Sequence, residues 1–266
     1  MHPVPPSRVL DTRTTAGGAR PLPVGQTLLG LRLPRFGNPA TAVLATVTVV
    51  SPATAGWVRL GGPDGTSSVT YAAGETTSNT VLAWMDGSPS EQLPVTVFGA
   101  PVHVVVDVTA VVDDGYSPSG VVAVPLPGGP VRIADSRRGL GIGTLPGGAA
   151  RSLPVSSSLR DQDTWGVLQN VTAIPTRPTW LVAYPSGTPR PGTSSLLAAP
   201  PSPCAATVLT GLSAGGSEDL YSLAGPTDVV SDVSARVQLF PSTAQLGGFA
   251  RIPETLAAVP PATRSR

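Results

Sequence analysis

Val43-Leu44-Ala45-Thr46-Val47-Thr48-Val49-Val50 is the stretch from which the rest of the chain becomes readable. Its β-branched enrichment is that of a central strand, because such side chains pack well on a pleated surface. Pro52 stops it, since proline cannot donate to a strand ladder. The same kind of run returns 124 positions later as Val167-Leu168-Gln169-Asn170-Val171-Thr172. A long-period recurrence of this kind is the first thing to test in a chain of 266 residues.

Working outward, the recurrence extends through the chain. Arg8-Val9-Leu10-Asp11-Thr12-Arg13 returns as Arg132-Ile133-Ala134-Asp135-Ser136-Arg137. Trp57-Val58-Arg59-Leu60 returns as Trp180-Leu181-Val182-Ala183, and Gly65-Thr66-Ser67-Ser68-Val69 as Gly192-Thr193-Ser194-Ser195-Leu196. Thr80-Val81-Leu82 matches Thr207-Val208-Leu209, and Ser90-Glu91-Gln92-Leu93 matches Ser217-Glu218-Asp219-Leu220. Asp107-Val108-Thr109-Ala110 and Asp232-Val233-Ser234-Ala235 close the two copies. The offset stays between 123 and 127 and drifts only across Gly- and Pro-rich turns. Insertions cost least there, because loop-closure entropy grows slowly with length.

The reading is therefore an all-β chain of two tandem antiparallel β-sandwich (or barrel-like) domains. The first spans residues 1–115 and the second 121–240, joined by a linker over 113–120 and followed by a Pro/Ala-rich tail or docking arm over 241–266. Further strands are expected at 57–60, 67–71, 80–84, 93–98 and 103–112. Their second-copy equivalents are expected at 166–174, 180–184, 194–198, 206–212 and 229–239. No sustained helical stripe interrupts the pattern. Antiparallel pairing follows because the connections are too short for helical crossovers.

Composition narrows the function classes. Hydrophobic residues make up 41% and charged residues 12%, the latter about half the usual share. The net charge of +1 supplies no field for nucleic acid. All 17 basic residues are arginine, which reads as coding bias from a GC-rich genome. Cys204, the single cysteine, permits no intrachain disulfide and no thiolate metal site. No apolar run is long enough to span a membrane, and Met1 to Pro6 lacks the pattern of a leader peptide. No cofactor and no metal is expected.

The opening Arg-Val-Leu-Asp-Thr-Arg, the Asn-Val-Thr at 170–172 and the Val-Asp-Val-Thr at 106–109 together resemble a tandem β-rich module of actinobacterial exported or surface-associated proteins. The resemblance covers nearly all of residues 5–240. It implies a surface or accessory module and no catalytic residues.

The polar constellation preserved through the repeat is Asp11, Arg13 and Asp107, with Asp135, Arg137 and Asp232. A carboxylate within a valine run is costly to bury unpaired, so Asp107 calls for an arginine fork; Arg13 is expected to contact Asp107 or Asp11, and Arg137 to contact Asp232 or Asp135. The expected role is a structural clamp between the opening segment and the closing strand. A calcium site at Asp11 and Asp107 is weighed and set aside, because such sites gather more oxygen ligands. His2 and His103 have no duplicates, so no Ser-His-Asp set runs through both copies. Gly139-Leu140-Gly141-Ile142-Gly143 reads as a tight turn rather than a phosphate loop. Trp57 and Trp180, at matched positions, are expected in the cores. Trp84 and Trp165 are unmatched and are expected as contact surface. The Asn170 glycosylation pattern falls in a strand expected to be buried.

These readings converge on a non-enzymatic structural or accessory surface protein, part of a cell-surface or virion assembly, with protein partners or self-association. A glycan- or cell-wall-binding module is the second reading, and an uncharacterised hydrolase the third. The location expected is extracellular, at the cell surface or in a virion. In the tail, Leu256 and Val259 on a short helical turn need cover to be ordered, which makes residues 245–260 an expected docking arm. Truncation after residue 240 is then expected to lower the particle mass in light scattering or the melting temperature. Unchanged mass and melting, with immediate proteolysis of the tail, would remove the arm.

Overall fold

The computed structural model describes residues 1–31, 33, 39–61, 67–87, 91–113 and 120–240. The turn at 62–66, most of the linker and the whole tail, with its expected docking arm, lie outside the described residues.

Among the described residues of the first half, eight strands follow in order: β1 (His2–Asp11), β2 (Gly25–Gly30), β3 (Ala42–Val50), β4 (Gly56–Leu60), β5 (Val69–Tyr71), β6 (Thr77–Trp84), β7 (Gln92–Phe98) and β8 (His103–Val112). They form two four-stranded sheets, ordered β1-β8-β3-β6 and β2-β7-β4-β5. In the second half come β9 (Gly120–Pro125), β10 (Val131–Asp135), β11 (Ala149–Pro154), β12 (Thr164–Pro175), β13 (Thr179–Pro185), β14 (Leu196–Ala198), β15 (Cys204–Gly211), β16 (Ser217–Ser222) and β17 (Thr227–Phe240). Their sheets are ordered β10-β17-β12-β15, with β9 on the free end of β17, and β11-β16-β13-β14. The second half repeats the strand order of the first, strand for strand, with β9 and β10 together in the place of β1. All strand pairs between these elements are antiparallel.

Period-two alternation explains why the sheets stack. On β3, Val43, Ala45, Val47 and Val49 are fully buried on one face. They meet Val104, Val106 and Val108 of the same sheet and Val58, Leu60, Leu93, Val95 and Val97 of the other. Each such valine removed from water contributes about 1.5–3 kcal/mol before the cost of ordering it. The second core is built alike, with Val171, Ala173, Val208 and Val229 facing Leu153, Leu181, Leu196 and Leu220.

The structure extends the sequence reading at the chain's quieter segments. Strands β1, β2, β9, β10, β11 and β16 were not expected. They are short or rich in Pro, Gly, Ser and charge, and pairing rather than propensity makes them strands. The turn at 139–143 is tight: Gly139 and Gly141 have φ of +68° and +70°, and a Cβ on Gly141 would sit 2.1 Å from the Ile133 carbonyl oxygen. Of the linker, Gly120 onward is strand β9. Its Val121 N–H donates to the Met1 carbonyl at 2.7 Å, joining the chain's start to the second half.

The two cores differ in one respect. Inward-facing Gln169, Thr210, Glu218 and Ser231 of the second half are almost completely buried. Gln169 Nε2 donates to Glu218 Oε1 at 2.8 Å and Oε2 at 2.6 Å, and lies 3.3 Å from Thr210 Oγ1. Ser231 Oγ donates to Oε1 of the Gln169 side chain. The first half has Ala45, Ala83 and Val106 where the second has Gln169, Thr210 and Ser231, all without exposure. Glu91, the equivalent of Glu218, accepts instead from the Ala40 N–H at 3.2 Å.

Burial raises the Glu218 pKa to about 7, outweighing the hydrogen bonds from Gln169 and Thr210 that favour the carboxylate. The folded pKa is above the ordinary 4.5, so no penalty exists below pH 4.5, and stability falls as pH rises from there through about 7. The full loss is about 3 kcal/mol. Glu218→Gln is expected to abolish this dependence and raise the melting temperature at pH 8. Calorimetry across pH 4–9 checks it; parallel pH profiles for the two proteins would refute it.

Candidate functional site

The side of the first sheet that faces away from its core is not open to water. Thr46, Thr48 and Asp107 point outward, yet are only 3%, 5% and 1% exposed. The second half covers them: β6 packs against β14 and β15. The Ser194 N–H donates to Asp107 Oδ2 at 3.4 Å, and the Leu197 N–H donates to Ser78 Oγ at 3.2 Å. Threonine hydroxyls dominate this seam, with Thr46 and Thr80 Oγ1 atoms 3.0 Å apart.

Where the seam opens it leaves a cleft of about 190 Å³. The first half contributes Arg8, Arg13, Thr48 and Thr76, and the second Trp180, Thr193, Ser194 and Leu197.

The arginines are held from beneath. Arg8 Nε and Nη2 donate to the two oxygens of Asp107 at 2.8 and 3.0 Å, and its Nη1 reaches Asp11 at 3.5 Å. Arg13 Nε and Nη2 donate to Asp11 at 2.8 and 2.7 Å. The Arg13 bonds hold the Asp11 carboxyl below the usual carboxylate range. The side chains of Asp107 and Asp11 are 1% and 9% exposed, against 34% and 46% for Arg8 and Arg13. The cleft therefore shows water the cations and hides the anions.

The second half repeats the pairing. Arg137 Nε and Nη2 donate to Asp135 at 2.9 and 2.8 Å, and Arg132 Nε and Nη2 to Asp232 at 2.9 and 3.0 Å. The sequence reading offered Arg13 either Asp107 or Asp11, and Arg137 either Asp232 or Asp135; the structure pairs Arg13 with Asp11 and Arg137 with Asp135, so Asp107 needs another arginine. That arginine is Arg8, because Arg8 stands directly opposite Asp107 in the β1–β8 register while Arg13 lies beyond the strand's end. Arg132 and Asp232 oppose each other likewise. The repeated arginine that opens each block carried this signal and was passed over.

The aromatic expectations need correction too. Trp57 and Trp180 lie outside the cores between the sheets, although Trp180 packs against a small buried cluster of Val182, Tyr184 and Tyr221. Their neighbours Val58 and Leu181 point inward, so the tryptophans face out, half-buried. Trp57 stacks on Phe98 with centroids 3.5 Å apart. Trp180 tilts against Tyr221 at 5.3 Å, and the Arg190 guanidinium lies 4.4 Å from the Tyr221 ring and 5.4 Å from that of Trp180. Trp84 is 61% exposed beside Leu82 on the outward face of β6. Trp165 is no free surface: it is half-buried over Gly211, where a Cβ would lie 3.0 Å from its ring. Asn170 is exposed rather than buried, since it faces away from the core.

His2 Nε2 lies 2.8 Å from Asp113 Oδ2, both buried, and His103 Nδ1 lies 3.0 Å from Thr12 Oγ1; each joins β1 to β8. Among the described residues, no group of three or more His, Cys, Asp or Glu side chains could hold a metal ion, and no helix is long and apolar enough to cross a membrane.

No family model matches the chain, and no curated protein matches it. Two solved structures are weakly similar. Recombinant N-glycanase F (PNGase F) is 9% identical over 88% of this chain and 99% of its own, with a TM-score of 0.22. A structure of Sulfolobus Turreted Icosahedral Virus is 11% identical over 90% of this chain and 92% of its own, with a TM-score of 0.23. Neither likeness carries an argument at that score.

Asp107→Ala is expected to lower stability by about 2–3 kcal/mol, because it takes the charged acceptor from half-buried Arg8 and from the covered Ser194 N–H. Asp232→Ala is expected to cost much less, since Arg132 and Asp232 both reach water. Denaturant midpoints measure both; equal losses would show that cover by the other half is not what makes the Asp107 pair matter.

Proposed function

We propose that this chain is a non-enzymatic structural or accessory protein of an extracellular or surface assembly, a virion included, built by duplication of one β-sandwich. The domains are residues 1–115 and 121–240. The strand order supports a jelly-roll sandwich in each: in the first half, edge strand β1 pairs with the last strand β8, and the orders β1-β8-β3-β6 and β2-β7-β4-β5 are those of two Greek keys folded over each other. The kinship with actinobacterial surface modules belongs to the same proposal.

The observation that carries the reading is what the duplicated polar residues do. Arg8–Asp107 and Arg132–Asp232 are two-pronged pairs that fasten the opening strand to the closing one, and Arg13–Asp11 and Arg137–Asp135 are two-pronged pairs within the opening segment that brace its turn. A hydrolase would need a carboxyl poised to exchange protons at the cleft. Asp11 is held ionised by Arg13, and Glu218, whose pKa lies near 7, is sealed in the second core. Exposed Trp84 and Leu82 give an apolar contact for a partner protein or another copy. A second reading, glycan binding, is favoured by the cleft with its arginines, hydroxyls and Trp180.

Light scattering on the full chain is expected to show a multi-copy particle. Trp84→Ser should reduce its mass and leave the melting temperature unchanged. A monomer at all concentrations, with catalytic turnover of a glycan or peptide panel, would overturn the proposal.

A further inference from the structure

The cleft between the halves has a chemical bias that narrows its occupant. A guanidinium has five N–H donors and no acceptor. Arg13 commits two to Asp11, leaving three, and Arg8 commits three to Asp107 and Asp11, leaving two. The carboxylates that fix both forks lie beneath them, so the arginines are held in place before any ligand arrives. Such preorganisation lowers the ordering cost of binding. Spare donors facing a cleft whose acidic groups are buried favour an acceptor-rich, negatively charged group, and a planar fork matches a carboxylate.

The remaining lining fits a sugar ring carrying that acid. Thr48, Thr76, Thr193 and Ser194 contribute short hydroxyl side chains, and Trp180 an aromatic one. The volume of about 190 Å³ lies below the roughly 300 Å³ at which pockets for drug-sized ligands begin, so it suits one ring of a chain rather than a multi-ring cofactor. Both halves supply lining residues, so the site exists only in the assembled chain.

We propose that this cleft binds an acidic sugar unit of a glycan, a hexuronate, with its carboxylate on Arg13 and Arg8 and its ring against Trp180. This deepens the glycan-binding reading and rests on it.

The test is calorimetric titration of the full chain with trigalacturonate, with galactotriose as the neutral counterpart and sodium sulfate as a bare anion. Trigalacturonate is expected to bind saturably and galactotriose at least about tenfold more weakly. Arg13→Ala and Trp180→Ala should each weaken binding by about tenfold or more. Because Arg13→Ala strands Asp11 and could unfold the chain, Gly192→Phe is the second variant. Gly192 lines the cleft with open space around its Cβ position, so a phenyl ring there fills the site and leaves both arginine pairs intact. Its binding should vanish with the melting temperature unchanged.

Equal affinity for galactotriose would overturn the acidic specificity and leave glycan binding standing. Sulfate competing as strongly as trigalacturonate binds would reduce the cleft to an anion site. Trigalacturonate binding untouched by Gly192→Phe would move the site elsewhere on the protein. Absence of binding to trigalacturonate overturns the hexuronate proposal, and absence across a broad glycan array overturns the glycan reading itself.

Discussion

Asp107 stands in the middle of β8 among valines, facing away from the core but covered by the other half of the chain. A carboxylate there would be expensive without a partner, and Arg8 supplies one from directly across the β1–β8 ladder. Much follows from that pairing. It places β1 on β8 in one register, which sets the order of the sheet. It leaves Arg8 and, through Asp11, Arg13 on the rim of the cleft. It also makes a face flat and polar enough for the loop around Ser194 to settle on, donating to the same carboxylate.

The second half keeps this pair and gives it a different setting. Arg132 and Asp232 face water, because nothing among the described residues covers that side as the second half covers Asp107. Identical residues in identical registers thus differ in exposure, the carboxylate being 1% exposed in one pair and 25% in the other. The cores diverge in the opposite sense. The first keeps Ala45, Ala83 and Val106, while the second admits Gln169, Thr210 and Ser231 around Glu218. A buried polar group survives only when its hydrogen bonds are made, and the change at Glu218's surroundings is therefore concerted across four strands. The two halves share one frame and differ on the faces that their neighbours cover.

The seam between the halves is lined by hydroxyls more than by large apolar side chains. Such surfaces resemble transient contacts more than a core cut in two. Covalent linkage and the hydrogen bond from β9 to Met1 hold the halves at high local concentration, so a polar seam suffices. A cleft at its open end is the natural place for function to arise without disturbing either core.

By itself the sequence determined that the chain is β throughout, that its valine runs are central strands, and that short blocks recur in the same order along it. These are local properties: β-branched runs, proline stops, and blocks returning at a steady spacing. It also showed that Asp107 needed an arginine, because a charge among valines demands a partner wherever the chain goes. The tertiary structure alone decided which arginine, since cross-strand register is a pairing between distant segments and a one-residue slip would exchange the faces. It decided that Trp57 and Trp180 face out, because alternation tells which residues share a face but not which face meets the other sheet. The cleft was beyond the sequence for the same reason: Arg13 and Trp180 are brought to its walls only by the packing of one half on the other, and no local signal encodes that contact.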